Sequence, residues 1–206
     1  MGTTITMTRN PKTRMPARQS QRGFSLVEVM IAIAIMTISL VALIAVFGTA
    51  IGATKSAQED LIARQKALEA MESIYTARNT QQIVFAQIAN FPNGIFTAGP
   101  TQLLAAGPDG LVGTVDDINY PANGICPAGP ECVVLPGPDG ILGTADDVAM
   151  SLANFTRTIA INSVLESDGV TIDPNLKQIV VTVSYTKPGM TASRDYTVNA
   201  LISTYR

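Results

Sequence analysis

The sequence predicts an α+β fold in which a long N-terminal helix packs on a C-terminal antiparallel sheet of about three or four strands. Three observations support this prediction. An apolar run extends from Phe24 to Gly52, and the residues that follow it up to Arg78 contain no Gly or Pro. Residues 155–206 contain stretches rich in Val, Ile, Thr and Tyr. Between these parts, residues 79–154 are rich in Gly, Pro and Asp, which predicts an inserted loop region.

The apolar run is long enough to cross a membrane. From Phe24 to Gly52 a helix is about 43 Å long at about 1.5 Å per residue, and a hydrocarbon core is only about 30 Å thick. A secretory signal has a shorter apolar core, about 7–15 residues. We therefore predict a spanning helix over 24–53. Glu28 is the one ionisable residue in the run, and a carboxylate costs about 2.5–3.5 kcal/mol at mid-membrane, so it indicates a function.

The second half of the helix, residues 54–78, is predicted to be amphipathic. Its apolar stripe is expected to be the face on which the exported domain packs. The stripe consists of Leu61, Leu68, Met71 and Tyr75, with Ala63, Ala67 and Ala70 alongside. A short helical turn is expected around residues 83–88.

The last quarter of the chain, residues 155–206, is predicted to be the sheet. The predicted strands are Phe155–Ser163, Leu176–Thr186 and Arg194–Thr204. Turn residues separate them at 166–174 and 187–193. With one apolar face, these strands can cover the amphipathic half of the helix.

The loop region contains an internal repeat. Residues 107–118 (GPDGLVGTVDDI, the first repeat) recur as residues 137–148 (GPDGILGTADDV, the second repeat), with eight of twelve positions identical. Two copies are too few for a solenoid, so we interpret them as paired loops of one domain.

Each repeat places three carboxylates around glycine turns, and three interpretations stay open. The carboxylates are Asp109, Asp116 and Asp117 in the first repeat and Asp139, Asp146 and Asp147 in the second. Carboxylates and backbone carbonyls are the ligands that calcium prefers, although the spacing is not that of an EF-hand. Pro-Asp-Gly also favours tight turns by itself. The third interpretation is a surface that binds a partner.

The two cysteines, Cys126 and Cys132, lie between the repeats. An even number of cysteines in an exported chain favours a disulfide, here one that closes a small loop. The alternative is a pair of buried free thiols.

Composition excludes several functional classes. The chain has no His and no Trp, which excludes His-based catalytic triads and His-ligated zinc and argues against stacking platforms for sugars or bases. Residues 24–206 hold nine basic and sixteen acidic residues, a net charge of −7. Such a domain is expected to bind nucleic acid poorly. We predict no enzymatic activity and no organic cofactor.

The residues around the start of the apolar run resemble a known signal. Five basic residues and no acid precede Gly23, and Gly23-Phe24 is followed by Ser25-Leu26-Val27-Glu28-Val29-Met30. This pattern resembles the class III signal of type IV pilins and type II secretion pseudopilins. The resemblance implies that prepilin peptidase cleaves residues 1–23 as a leader, between Gly23 and Phe24, and that Phe24 is then N-methylated. Residues 63–72 (ARQKALEAME) further resemble PilV-type minor pilins and pseudopilin I.

The resemblance implies a role for Glu28 and a set of partners. The Glu28 carboxylate would neutralise the terminal amine of a neighbouring subunit inside a filament. The partners would be other pilin or pseudopilin subunits, prepilin peptidase and an inner-membrane assembly platform. Positive residues before the span place the N-terminus of a single-pass precursor in the cytoplasm. The final location would be a periplasmic or extracellular filament.

These features predict a minor pilin or pseudopilin that serves as a structural subunit. One alternative is a major pilin of such a filament. Another is a membrane-anchored, calcium-dependent binding domain or adhesin that does not polymerise.

Overall fold

The computed structural model describes residues 23–186 and 192–205. The leader residues 1–22 and most of the predicted turn at 187–193 therefore lie outside the described residues. Contacts within the chain divide it into two units, Met1–Ala50 and Ile51–Arg206.

The main helix, α1, runs from Leu26 to Asn79, close to the predicted limits of Phe24 and Arg78. Ser25 precedes it and caps it, since the Ser25 Oγ accepts a hydrogen bond from the Val27 backbone N–H at 3.3 Å. A Ser side chain at this position satisfies one of the N–H groups that a helix leaves unpaired at its start.

The second half of α1 contributes one face to the core of the second unit. Its buried apolar residues are Ile62, Ala63, Ala67, Ala70, Met71, Ile74 and Ala77. The predicted stripe was wrong at two positions, because Leu61 and Leu68 are 55% and 44% exposed. The alanines that accompany the stripe form the centre of the buried face instead, since small side chains let the sheet approach the helix closely.

The main sheet has four strands, and the α+β prediction is confirmed. Strands β1 (Thr101–Gln102), β4 (Phe155–Leu165), β5 (Ile172–Thr186) and β6 (Ser193–Ser203) lie in the order β1-β4-β5-β6, and each adjacent pair is antiparallel. The three long strands lie where they were predicted, but β4 ends two residues later and β5 begins four residues earlier, so residues 172–174 of the predicted turn are strand. The edge strand β1 comes from the region that was predicted to be loop.

A second, two-stranded sheet lies within residues 79–154. Strands β2 (Cys132–Leu135) and β3 (Val148–Ser151) pair antiparallel, and Leu135 faces Val148 at the end that leads into the second repeat. A short 3-10 helix at Phe85–Gln87 is found where a helical turn was expected. The loop prediction was wrong for β1, β2 and β3, because strands of two to four residues carry too little alternation to be recognised.

Polar contacts connect the end of α1 to β6 and the residue after it. The Tyr75 hydroxyl donates to the Leu201 carbonyl at 2.7 Å, and the Arg78 Nη2 donates to the Thr204 carbonyl at 3.0 Å. The core between helix and sheet includes Phe155 and Tyr185, whose rings stack with centroids 5.0 Å apart.

Candidate functional site

The first candidate site is the start of α1. Gly23 and Phe24 precede the helix, and the Phe24 side chain is 81% exposed. Glu28 lies in the first turn, where the helix dipole stabilises a negative charge by about 0.3–1 kcal/mol. The predicted cleavage position and the acidic residue are thus both accessible at one helix end.

The first half of α1 has an apolar surface that the chain itself leaves open. Every residue from Gly23 to Thr54 is exposed. Among the described residues, α1 is the one helix that is long and apolar enough to cross a membrane. Exposed Val, Ile and Leu side chains over this length are unfavourable in water, so lipid or other protein chains must cover this surface.

The second candidate site comprises the two repeats, which have four internal hydrogen bonds in common. They differ at the threonine, since Thr114 also donates to the Asp117 Oδ1 at 3.1 Å, whereas Thr144 also donates to the Ile141 carbonyl at 3.0 Å. In each, the first Asp accepts the N–H two residues later, and the paired Asps accept further donors from the same loop. In the first repeat the bonds are Leu111 N to Asp109 Oδ1 (2.8 Å), Asp109 N to Asp116 Oδ2 (3.3 Å), Gly113 N to Asp117 Oδ2 (2.7 Å) and Thr114 Oγ1 to Asp116 Oδ1 (2.7 Å). In the second they are Ile141 N to Asp139 Oδ1 (2.8 Å), Asp139 N to Asp146 Oδ2 (3.2 Å), Gly143 N to Asp147 Oδ2 (2.7 Å) and Thr144 Oγ1 to Asp146 Oδ1 (2.6 Å).

In both loops a threonine hydroxyl lowers the pKa of an aspartate. The Thr114 hydroxyl lowers the pKa of Asp116, and the Thr144 hydroxyl lowers the pKa of Asp146. Burial raises the pKa of Asp109, and the nearby Asp116 charge adds to that shift. Turn chemistry therefore accounts for the bonds that hold each loop.

The first repeat is packed against the main sheet. Leu111 and Val112 are 1% and 6% exposed. Strand β4 covers this loop with Arg157 and Ile159, two buried side chains on the same strand face. The Ile159 Cδ1 lies so close to Gly113 that a Cβ there would meet it at 2.5 Å. The Arg157 Nη2 lies 3.8 Å from the Asp117 Oδ2.

Arg157 is the principal buried charge beside the first repeat, and it is 1% exposed. Burial lowers its pKa, and the Asp117 charge opposes that shift. Its Nε and Nη2 make no hydrogen bond with the described residues. The ion pair with Asp117 therefore offsets much of the free-energy cost of removing the guanidinium from water.

The second repeat has the same loop but a different environment. It joins β2 to β3, and Ile141 and Leu142 are 60% and 62% exposed. Gly143 has open space where Gly113 meets Ile159, since a Cβ there would have no atom within 4 Å. The Asp147 Oδ1 is buried yet has no hydrogen-bond partner among the described residues.

The carboxylates of the repeats were predicted to be calcium ligands. Within residues 23–186 and 192–205, no group of three or more acidic, His or Cys side chains is placed to hold a metal ion. In the first repeat the Arg157 guanidinium also lies beside one predicted ligand, Asp117, and a second cation there is opposed by like charge. Calcium binding stays a prediction from the sequence.

The predicted disulfide is confirmed, because Cys126 and Cys132 are bonded to each other. Glu131, next to Cys132, is buried and forms an ion pair with Lys66 on α1. Burial lowers the pKa of Lys66, but Glu131 and Glu69 outweigh this effect and the net shift is upward. The segment that carries the disulfide is therefore also connected to the helix.

Sequence reasoning missed Arg157, Glu131 and Lys66. A signal for Arg157 is present in β4, where every second residue from Phe155 to Ile159 faces the core. A basic residue at such an inward position requires a buried partner. No comparable local pattern marks Lys66 or Glu131, which are 65 positions apart in the sequence.

Comparison with known proteins gives one result. Neither the curated proteins nor the solved structures include a significant match to this chain. Residues 18–52 match the family described as the prokaryotic N-terminal methylation motif. The matched segment contains Gly23, Phe24, Glu28 and the apolar part of α1, and it fits a membrane-anchored precursor. The motif therefore indicates that this chain is a type IV pilin-like substrate of prepilin peptidase.

Proposed function

We propose that this chain is a minor pilin or pseudopilin, a non-enzymatic structural subunit of a type IV pilus or type II secretion filament. It is inserted in the bacterial inner membrane with its N-terminus in the cytoplasm. Prepilin peptidase then cleaves it between Gly23 and Phe24 and methylates Phe24, and the mature chain enters a filament through α1.

The observation that carries this proposal is the exposed apolar helix within the segment that matches the methylation motif. The motif match covers residues 18–52, and the described residues of that segment are exposed throughout. A lipid bilayer covers such a surface before assembly, and helices of other subunits can cover it afterwards. A contact that does not close on itself produces a helical filament.

Glu28 supports the assembly step. Cleavage creates a cationic amine at Phe24, and the Glu28 carboxylate of one subunit can pair with the amine of its neighbour. In an apolar filament interior this attraction is much stronger than in water, because the dielectric constant is low. The pairing fixes the axial register between subunits.

The minor subtype is supported by residues 63–72, which resemble PilV-type minor pilins and pseudopilin I. Abundance is the measurement that separates a minor subunit from a major one. In filaments sheared from the source organism, a major pilin dominates the protein mass, whereas we expect this chain to be scarce.

Two measurements in the source organism test the proposal. Mass spectrometry should find N-methyl-Phe24 as the mature N-terminus, and an intact Met1 leader would overturn the proposal. The Glu28→Ala variant should be inserted and cleaved as usual but recovered poorly in filaments. Undiminished recovery would contradict the pairing of Glu28 with the amine.

A further inference from the structure

The first repeat makes contacts with the rest of the domain that the second repeat does not make. Four loop hydrogen bonds occur in both repeats, and their distances agree within 0.1 Å. The pairs that flank them are also equivalent, since Ala105 bridges Ile118 and Leu135 pairs with Val148. What β4 does for the first repeat is therefore a template for what fits the second.

The template consists of two side chains on one strand face. Ile159 packs on the backbone of Gly113, and Arg157 places its guanidinium 3.8 Å from Asp117. These residues are two positions apart, so they lie on the same face of β4. Together they pack on the loop at Gly113 and place a positive charge beside Asp117.

The second repeat has the groups that this template would satisfy. Ile141 and Leu142 are more than half exposed. The space above Gly143 is open. Asp147 takes the place of Asp117, but it has no ion pair among the described residues, whereas Asp117 has Arg157. An apolar pair and an uncompensated carboxylate thus occur together on one protruding loop.

We propose that the second repeat is the docking site for a strand of a partner protein that presents a basic and an aliphatic side chain two residues apart. The aliphatic side chain packs on Gly143 and against Leu142, and the basic side chain pairs with Asp147. Charge supports this occupant, since three carboxylates in the loop repel nucleic acid and anionic lipid but attract a basic side chain. The inference does not depend on filament assembly.

Site-specific photocrosslinking in the full-length chain tests the docking site. A benzophenone amino acid replaces Leu142 in the source organism, and membranes are isolated with a calcium chelator and irradiated. We expect a protein adduct whose crosslinked segment contains alternating basic and aliphatic residues, identified by mass spectrometry. The same amino acid at Val170, which is 81% exposed on a different loop, is the control and should not form that adduct. No adduct, a lipid adduct, or an adduct to a segment without a basic residue would overturn the proposal.

Charge and shape variants in the Leu142 crosslinking background add a second test. Asp147→Lys should reduce the adduct at least tenfold, whereas Glu166→Lys, the same charge change on another exposed loop, should leave it unchanged. Because Asp147 also accepts the Gly143 N–H, the loop itself can be affected. Ile141→Asp avoids this problem, since Ile141 is 60% exposed, and it should reduce the adduct as well.

Charge exchange with the identified partner completes the test. Replacing the partner's basic residue with Glu should restore the adduct of the Asp147→Lys chain and abolish that of the unaltered chain. If the adduct persists in Asp147→Lys and Ile141→Asp, or if the exchange fails to restore it, the stated chemistry is wrong.

Discussion

The first and second repeats share a sequence and a loop geometry but differ in what surrounds them. Leu111 of the first repeat is 1% exposed, whereas the equivalent Ile141 of the second is 60% exposed. Four of the loop hydrogen bonds are nearly the same in both. The loop conformation is therefore set by local chemistry, and burial is not needed to hold it.

The difference lies in the partner of each loop. Strand β4 supplies Ile159 and Arg157 to the first repeat, and the second repeat extends from β2 and β3. A repeat of this kind can serve two purposes in one domain, as a part of the core and as an exposed loop available for binding. The four predictions below test this contrast, from the largest expected effect to the smallest.

The largest contrast is expected for truncation of the apolar residues. Leu111→Ala should lower the free energy of unfolding by about 2–5 kcal/mol, because it leaves a cavity in the core. Ile141→Ala should change it by no more than about 0.5 kcal/mol, because that side chain is already in solvent. Chemical denaturation of the full chain in detergent micelles measures both. Equal losses would show that the two loops are packed alike.

The second-largest contrast between the repeats is expected in stabilisation by calcium. An ion that binds only the folded chain stabilises it by about 2.7 kcal/mol at a hundredfold excess over the dissociation constant. Because Arg157 already lies beside Asp117, we expect the second repeat to carry this effect. Changing Asp139, Asp146 and Asp147 to Asn should remove the calcium-induced rise in melting temperature of the chelator-treated chain, and the same changes at Asp109, Asp116 and Asp117 should leave it.

Magnesium is the ionic control for that experiment, since it prefers a small octahedral shell and gives up water reluctantly. It should substitute poorly for calcium. If calorimetric titration of the chelator-treated full chain shows no calcium binding up to millimolar concentration, the repeats are turns and the calcium prediction is wrong.

The equivalent glycines provide a third contrast. Gly113 and Gly143 have φ angles of +81° and +89°, so an added Cβ is strained in both. Gly113→Ala also forces the Cβ against Ile159, and we expect it to cost about 1–3 kcal/mol more than Gly143→Ala. Adding Ile159→Val removes the clashing methyl group and should recover part of the loss in Gly113→Ala. Denaturant midpoints of the two single glycine variants and of the double variant test this, and equal costs at the two glycines would contradict the packing difference.

The smallest effect concerns a property that the repeats share. The Thr114 and Thr144 hydroxyls lower the pKa of Asp116 and Asp146. A lowered pKa adds stability above the unfolded carboxyl pKa of about 3.9, and that stability is lost as the pH falls through the folded value. Thr114→Val and Thr144→Val should each raise the pKa of the neighbouring Asp, as measured by NMR titration, and move acid unfolding to slightly higher pH. A shift in only one loop would show that burial, rather than the hydroxyl, sets the pKa.

Much of the fold could be predicted because its long elements have long patterns. The start and end of α1 differ from prediction by two residues and one residue, and the limits of β4, β5 and β6 differ by at most four residues. The buried face of α1 was partly mispredicted. Leu61 and Leu68 have the stronger apolar signal, but the sheet packs on the alanine face next to them.

The site was predictable only where its chemistry is local. Gly23, Phe24 and Glu28 lie within six residues, and the repeats are recognised because the same sequence pattern occurs twice. The burial of one repeat and the exposure of the other were not predictable, because they depend on Arg157 and Ile159, which are about 40 residues further along the chain. The sequence of the two loops does not predict which repeat is buried by the rest of the domain.

The protruding position of the second repeat on β2 and β3 also determines how the chain can change through evolution. Substitutions at Leu111 or Gly113 are limited by folding, because the core loses stability. Those at Ile141 or Leu142 are limited by whatever the loop binds. The duplication thus gives the chain one copy that is fixed by its own architecture and another that can diverge. A new partner can be acquired at the second copy by point substitutions, while the domain beneath it keeps its fold.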